Sequence, residues 1–252
     1  MLEATDITVR FGGVTAVNAI SVTIHDDEVV GLVGPNGSGK STFINALTGL
    51  VPATGEMSVD GRPVKLGRPG ANSRLGVRRT FQTPQVHDRL TCLENVLVGT
   101  QETSGRTLAM AWFRRRAMMR TERANWTVAA AALSSAGLAG QEAVPAGSLS
   151  YGERGRLELA RVYAGRPRVL LLDEPAAGLN HRETAQLVDL LVSWRAEGGP
   201  ALLLVEHKID FLESLCDRMI VLELGQQIAA GDPATVWADP RVMDAYLGTA
   251  HA

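Results

Sequence analysis

Three short runs carry no charged or hydrogen-bonding side chain: Val29-Val-Gly-Leu-Val33, Val169-Leu-Leu-Leu172 and Ala201-Leu-Leu-Leu-Val205. A strand with one wet face alternates apolar and polar residues, so a strand apolar throughout must be covered on both faces. That is the condition of a parallel sheet between layers of helix. Helical patterns do lie between the runs, at Thr42–Leu50, Arg154–Tyr163 and Glu183–Glu197, and this alternation predicts an α/β architecture. The start of the chain differs in kind. Leu2–Val9 and Ala19–Ile24 alternate and predict antiparallel strands on either side of Gly12-Gly13, while Asp60-Gly61 is a hairpin signal. Met219–Leu224 and Gln227–Ala230 predict a further antiparallel pair turning near Gly225.

From about Leu93 to Leu138 the sequence reads as helix, with Trp112, Met119, Trp126 and Leu133 seven residues apart, the spacing of a packed face. Arg114-Arg-Arg116, Arg120 and Arg123 form the one basic cluster; it reads as a solvated helix face, with contact to a partner or anionic headgroups as the lesser reading. The 252 residues, 45% hydrophobic and 21% charged with a net charge of −2, exclude a disordered or collagen-like chain. They suffice for a core without metal or disulfide staples, and Cys92 and Cys216 stand outside any metal-ligand spacing. The near-neutral balance exerts no global pull on nucleic acid, so none is expected as a partner. No secretory signal is read at the N-terminus. The longest aliphatic run, Val128–Leu133, falls far short of the roughly 20 residues of a membrane span, so a membrane role is expected to come through another chain.

Gly34-Pro35-Asn36-Gly37-Ser38-Gly39-Lys40-Ser41 fits G-x-x-x-x-G-K-[ST], and it falls between a predicted strand and a predicted helix, the context that gives the pattern meaning. Glycines let successive backbone N–H groups turn inward onto phosphate oxygens. The helix that follows, through Thr42, adds the positive end of its dipole. Lys40 supplies a point charge for the β- and γ-phosphates and Ser41 a hydroxyl ligand for Mg²⁺. No Asn-Lys-x-Asp stretch for reading guanine occurs.

Val169–Leu172 runs into Asp173-Glu174-Pro175, placing two carboxylates at a strand end, where ligands of parallel sheets sit. Asp173 is suited to hold Mg²⁺ directly or through water, and Glu174 to orient or deprotonate an attacking water. Ahead of this strand, Leu149-Ser150-Tyr151-Gly152-Glu153 contains a capping box, Ser150-x-x-Glu153, at a helix start whose N–H groups can also receive a phosphate.

The order of these segments resembles the ATP-binding cassette (ABC) family, whose signature reads Leu-Ser-Gly-Gly-Gln; here Tyr151 replaces the first glycine and Glu153 the glutamine. The resemblance covers essentially the whole chain. It implies that Gln82, in Arg79-Thr-Phe-Gln82, is the glutamine that senses the γ-phosphate and metal, that His207 is the histidine that contacts the γ-phosphate, and that Phe11 stacks on adenine. Asn180, closing Ala176-Ala-Gly-Leu-Asn180, stands where Asp is commoner in the family. Arg10-Phe-Gly-Gly13, Thr15-Ala-Val-Asn18, Glu94-Asn-Val96, Glu174-Pro-Ala-Ala-Gly-Leu-Asn180 and Ala245-Tyr-Leu-Gly248 are similar to the branched-chain amino acid importer branch, and the stretch around Gly105–Arg123 fits that branch's longer helical subdomain. Phe81-Gln-Thr-Pro84 leans toward the urea and short-chain amide importers of the same branch.

What the resemblance implies is a P-loop nucleotide-binding fold: a mostly parallel sheet flanked by helices, an N-terminal antiparallel β subdomain, and a helical subdomain insert over about 93–164 that interrupts a core of about 1–92 and 165–252. It implies an ATPase using ATP and Mg²⁺, with Ser41, Gln82 and Asp173 at the metal and with Ser150, Tyr151, Gly152 and Glu153 reaching the ATP of a second subunit, a copy or a paralogue. Transmembrane permeases and, indirectly, a solute-binding protein are the implied partners. The implied place is the cytoplasmic face of the inner membrane. A urea or amide importer subunit, a lipopolysaccharide-type exporter subunit and a soluble non-transport ATPase are the alternatives.

Overall fold

The computed structural model describes residues 1–100 and 115–248, with side chains from 122 to 246 in the second stretch. Met1–Gln82 together with Pro167–Ala252 form one compact unit and Thr83–Arg166 another. In chain order the helices are α1 (Lys40–Leu47), α2 (Pro69–Arg74), α3 (Cys92–Thr100), α4 (Arg115–Ser135), α5 (Tyr151–Ala164), α6 (His181–Ala196), α7 (Ile209–Leu215), α8 (Pro233–Ala238) and α9 (Pro240–Gly248).

The first unit holds two sheets. β1 (Leu2–Phe11), β2 (Val14–Ile24), β4 (Thr54–Val59) and β5 (Arg62–Pro63) make an antiparallel sheet in the order β2-β1-β4-β5. Burial along β1 falls on Leu2 and Ala4, then on Ile7 and Val9. The phase slips because the register shifts between Ala4 and Ile7, where Asp6 takes φ 53°. A bulge there keeps both halves of the strand facing the core, which strict alternation would not. The Asp60-Gly61 turn has both residues at positive φ, 50° and 70°, as a two-residue hairpin of type I′ requires.

The second sheet runs β10-β9-β3-β8-β7-β6, from β3 (Val29–Val33), β6 (Val77–Arg79), β7 (Val169–Asp173), β8 (Ala201–Val205), β9 (Arg218–Glu223) and β10 (Gln226–Gly231). Only the β9–β10 pair is antiparallel. Every residue of β3, β7 and β8 is buried, as their uninterrupted apolar sequence demands. On one face Val30, Leu32, Leu171 and Leu203 share a core with Phe43, Ile44 and Leu47 of α1 and with the antiparallel sheet. On the other, Gly31 lies so close to α7 that a Cβ there would stand 3.0 Å from Cys216 Sγ. Cys92 and Cys216 are free buried thiols, and burial pushes Cys216 up to about 12, which removes it from thiolate chemistry.

In the second unit α3, α4 and α5 pack together. Glu94 and Thr91 cap α3 reciprocally, and buried Asn95 accepts the His87 N–H at 2.8 Å while donating to the carbonyls of His87, Leu90 and Thr91. The heptad stripe is not a core face along its length. Leu133 is fully buried but Trp126 is 52% exposed, because burial along the described part of α4 begins only at Ala129. Trp112, Met119, Arg114–Arg116 and Arg120 lie outside the described side chains; Arg123 is exposed. Among the described residues no helix is long and apolar enough to cross a membrane.

Candidate functional site

The turn from β3 to α1 is built by its glycines. Gly34, Gly37 and Gly39 take φ of 146°, 79° and 102°. A Cβ would stand 2.1 Å from the Leu222 carbonyl oxygen at Gly34 and 2.5 Å from the Ala16 carbonyl oxygen at Gly39, so β9 and β2 press on the loop from behind. Pro35 is half-buried, and Asn36 and Gly37 are exposed. Helix α1 starts without a side-chain cap and without an acidic residue in its first turn, which leaves its N–H groups and dipole for an anion. Lys40 lies buried beneath the loop, its Nζ donating to the carbonyls of Gly34 (2.8 Å) and Pro35 (2.9 Å). Burial pulls its pKa down, and the nearby carboxylates of Glu174 and Asp173 push it back up. Ser38 Oγ is buried without a hydrogen-bond partner, Ser41 is exposed and Thr42 is half-buried.

Asp173, the last residue of β7, is buried, and burial holds its carboxyl above the usual carboxylate range against the opposing pull of Arg79. Its Oδ2 accepts from Arg79 Nη2 at 3.1 Å, and its Oδ1 has no partner. Arg79, at the end of β6, also bonds Asn45 of α1 and lies 4.4 Å over the Phe81 ring. Glu174 turns the chain at φ 49°, a strained value for a residue with a side chain. Its N–H donates to the Val205 carbonyl at 2.8 Å, and its Oε1 lies 3.3 Å from His207 Nε2. The parallel register, Asp173 opposite Val205, brings these groups to the same sheet edge from chain positions far apart.

One residue here escaped the sequence reading. Glu206 is buried, accepting Ala176 N–H on Oε1 at 2.8 Å and the His207 and Lys208 N–H groups on Oε2 at 2.8 and 3.3 Å. Lys208 Nζ returns a bond to the Ala176 carbonyl at 2.8 Å. The pair clamps the loop after Glu174 to the segment that carries His207. The available signal was a carboxylate placed directly after an apolar strand, where burial must be compensated.

Lys40, Asp173, Glu174 and His207 thus form one constellation with Arg79. In the same unit Gln82 is exposed and Phe11 is 50% exposed at the end of β1, so it is not a core phenylalanine. Ser150, Tyr151, Gly152 and Glu153 belong to the helical unit. There Ser150 Oγ accepts Glu153 N–H at 3.3 Å and Glu153 Oε2 accepts Ser150 N–H at 2.8 Å, completing the capping box. Ser150 and Tyr151 are exposed and Gly152 is buried.

The donors fit a hard divalent cation beside phosphates. Asp173 Oδ1 is an orphaned buried oxygen, and Ser41 offers an exposed hydroxyl. Among the described residues no group of three His, Cys, Asp or Glu side chains could hold a metal ion, and a Mg²⁺ completed by phosphate oxygens and water needs no such group.

Fold and loop together define a phosphate-loop nucleotide-binding protein. Residues 17–177 match the family model of ABC transporters, and 226–252 match that of the branched-chain amino acid ATP-binding cassette transporters. The chain belongs to the ABC transporter family. It is 39% identical over 252 residues, covering 99% of this chain and 98% of the other, to the high-affinity branched-chain amino acid transport ATP-binding protein BraF of Pseudomonas aeruginosa. It is 36% identical, with the same shares covered, to LivG of Escherichia coli K12, which bears the same descriptive name. Among solved structures it superposes on a nucleotide-free ATP-binding cassette of an ABC transporter with a TM-score of 0.83 at 28% identity, covering 98% of each chain. The ADP conformation of such a cassette gives the same values.

Proposed function

We propose that this chain is the ATP-binding and hydrolysing subunit of an importer for branched-chain amino acids. The observation that carries the reading is similarity to branched-chain transport ATP-binding proteins over nearly the full length, joined to a match of the C-terminal segment with that branch's own family model. ATP is the substrate. The loop from Gly34 to Thr42 surrounds its phosphates, the N–H groups that follow Pro35 and the Lys40 ammonium bind them, and Phe11 stacks on the adenine. Ser41, Gln82 and Asp173 would hold Mg²⁺, which when bound neutralises charge on the phosphates. Glu174 takes the proton of the attacking water, with His207 beside it.

The second face of each ATP comes from Ser150, Tyr151, Gly152 and Glu153 of a partner subunit, a copy or a paralogue, so ATP favours the closed pair and hydrolysis releases it. Transmembrane permeases receive the motion at the cytoplasmic face of the inner membrane, and a solute-binding protein delivers the solute to them.

Glu174→Gln keeps the shape of the site and removes the base. It is expected to bind ATP, to lose turnover by at least about 100-fold, and to accumulate an ATP-dependent dimer in analytical ultracentrifugation. Turnover at the wild-type rate overturns the assignment. Uptake of labelled leucine by cells carrying the chain and its permeases tests the solute; uptake of urea in its place overturns that part.

A further inference from the structure

The C-terminal segment takes no part in the chemistry above, yet it reaches the root of the phosphate loop. After β10, Asp232 Oδ1 accepts Thr235 N–H at 3.0 Å and caps α8, and Pro240 opens α9. Val242 and Ala245 of α9 are buried. Tyr246, four residues after Val242, lies on the same side of the helix, its ring edge-on to Trp237 of α8 with centroids 5.7 Å apart. Its hydroxyl accepts the N–H of Gly34 at 2.9 Å.

Gly34 is thereby held at every side. Tyr246 takes its N–H, Lys40 Nζ bonds its carbonyl at 2.8 Å, and its α-carbon faces the Leu222 carbonyl too closely for any Cβ. The β9–β10 turn adds a second tie, Gly225 N–H donating to the Ser38 carbonyl at 3.0 Å. An N–H already bonded to a side chain at the foot of the loop is not one that serves phosphate. Its work is to fix the peptide from which the loop springs and whose carbonyl seats the lysine.

We propose that Tyr246 is a positioning residue of the phosphate loop, holding Gly34 so that the loop and Lys40 are ordered before nucleotide arrives. The proposal rests on the ATPase reading. A loop that must order on binding shows the cost as weaker affinity.

Tyr246→Phe keeps the ring against Trp237 and removes only the oxygen. The full chain carrying it is expected to bind ATP about five-fold more weakly, the worth of one hydrogen bond. KM for ATP should rise in proportion with kcat unchanged, and amide exchange should quicken in the peptide containing Gly34. Trp237→Phe keeps the hydroxyl and is expected to bind ATP as the wild type does. Unchanged affinity or unchanged exchange in Tyr246→Phe overturns the inference, as does an equal loss in Trp237→Phe, which would assign the effect to packing. A wild-type chain that does not bind ATP overturns the ATPase reading, and this inference with it.

Discussion

Glu206 carries three backbone N–H groups on one buried carboxylate, and no neutral side chain of its size can do the same. Glu206→Gln turns one acceptor oxygen into a donor that faces other donors. We expect a loss of about 2 kcal/mol in urea unfolding, because hydrogen bonds to a charged acceptor are among the stronger ones and their loss strands buried amides. Turnover should fall as well, since the same carboxylate ties the loop after Glu174 to the segment of His207. Local patterns at strand ends mark Lys40, Asp173 and Glu174 in the sequence, whereas His207 stood out only through the family resemblance. Tyr246 is silent in the sequence because the Gly34 N–H it accepts lies 212 residues away; Glu206 is marked only by its place directly after an apolar strand, and its bond to the Ala176 N–H, 30 residues away, leaves no local pattern. Arg79 was read only as part of the Arg79–Gln82 motif; its pairing with Asp173 became visible once β6 and β7 lay side by side.

At the scale of elements, Asn180 keeps a helix cap intact where the resemblance leads one to expect Asp. It is the N-cap of α6, its Oδ1 accepting Glu183 N–H at 3.0 Å while Glu183 Oε2 accepts the Asn180 N–H at 3.0 Å. Asn and Asp cap equally well, so Asn180→Asp should leave stability unchanged in urea unfolding, while Asn180→Ala should cost about 1 kcal/mol. The cap of α5 adds a pH dependence. Bonds from the Ser150 backbone N–H, then its side chain, then Gln141 hold the Glu153 carboxyl below its ordinary value. A depressed carboxyl binds protons less readily in the folded chain, so its contribution is present above the unfolded pKa, about 4.3, and is lost as pH falls through the lower native value. The urea midpoint of wild type should therefore exceed that of Glu153→Gln at neutral pH, with the gap closing in acid. The apolar runs were read correctly as buried strands because burial on both faces leaves a plain mark in composition. β6, three residues long, left none, and neither did the exposure of Trp126. A heptad stripe says which side chains share a face, but only the packing neighbours decide where that face is covered.

For the whole molecule, a ligand that binds only the folded chain stabilises it by mass action. ATP with Mg²⁺ at 100 times its dissociation constant should add about 2.7 kcal/mol, seen as a rise in the thermal midpoint. Lys40→Ala should abolish that rise. It removes the charge proposed for phosphate, along with the bonds that hold the loop's own carbonyls.

β6 and β7 are hydrogen-bonded neighbours running in the same direction, Val77 beside Val169. A chain that leaves the top of one must travel back the length of the sheet before it can enter the foot of the other, a journey no tight turn can make. Residues 83–166 make it. Insertions and deletions in the loops of that stretch leave the strand register untouched, but the capped start of α5 at Ser150–Glu153 has to be kept. Cutting it out whole and putting a linker of a few residues in its place would leave too little chain to reach from the end of β6 to the start of β7. The helical unit is thus an obligatory bridge between two strands of the other unit.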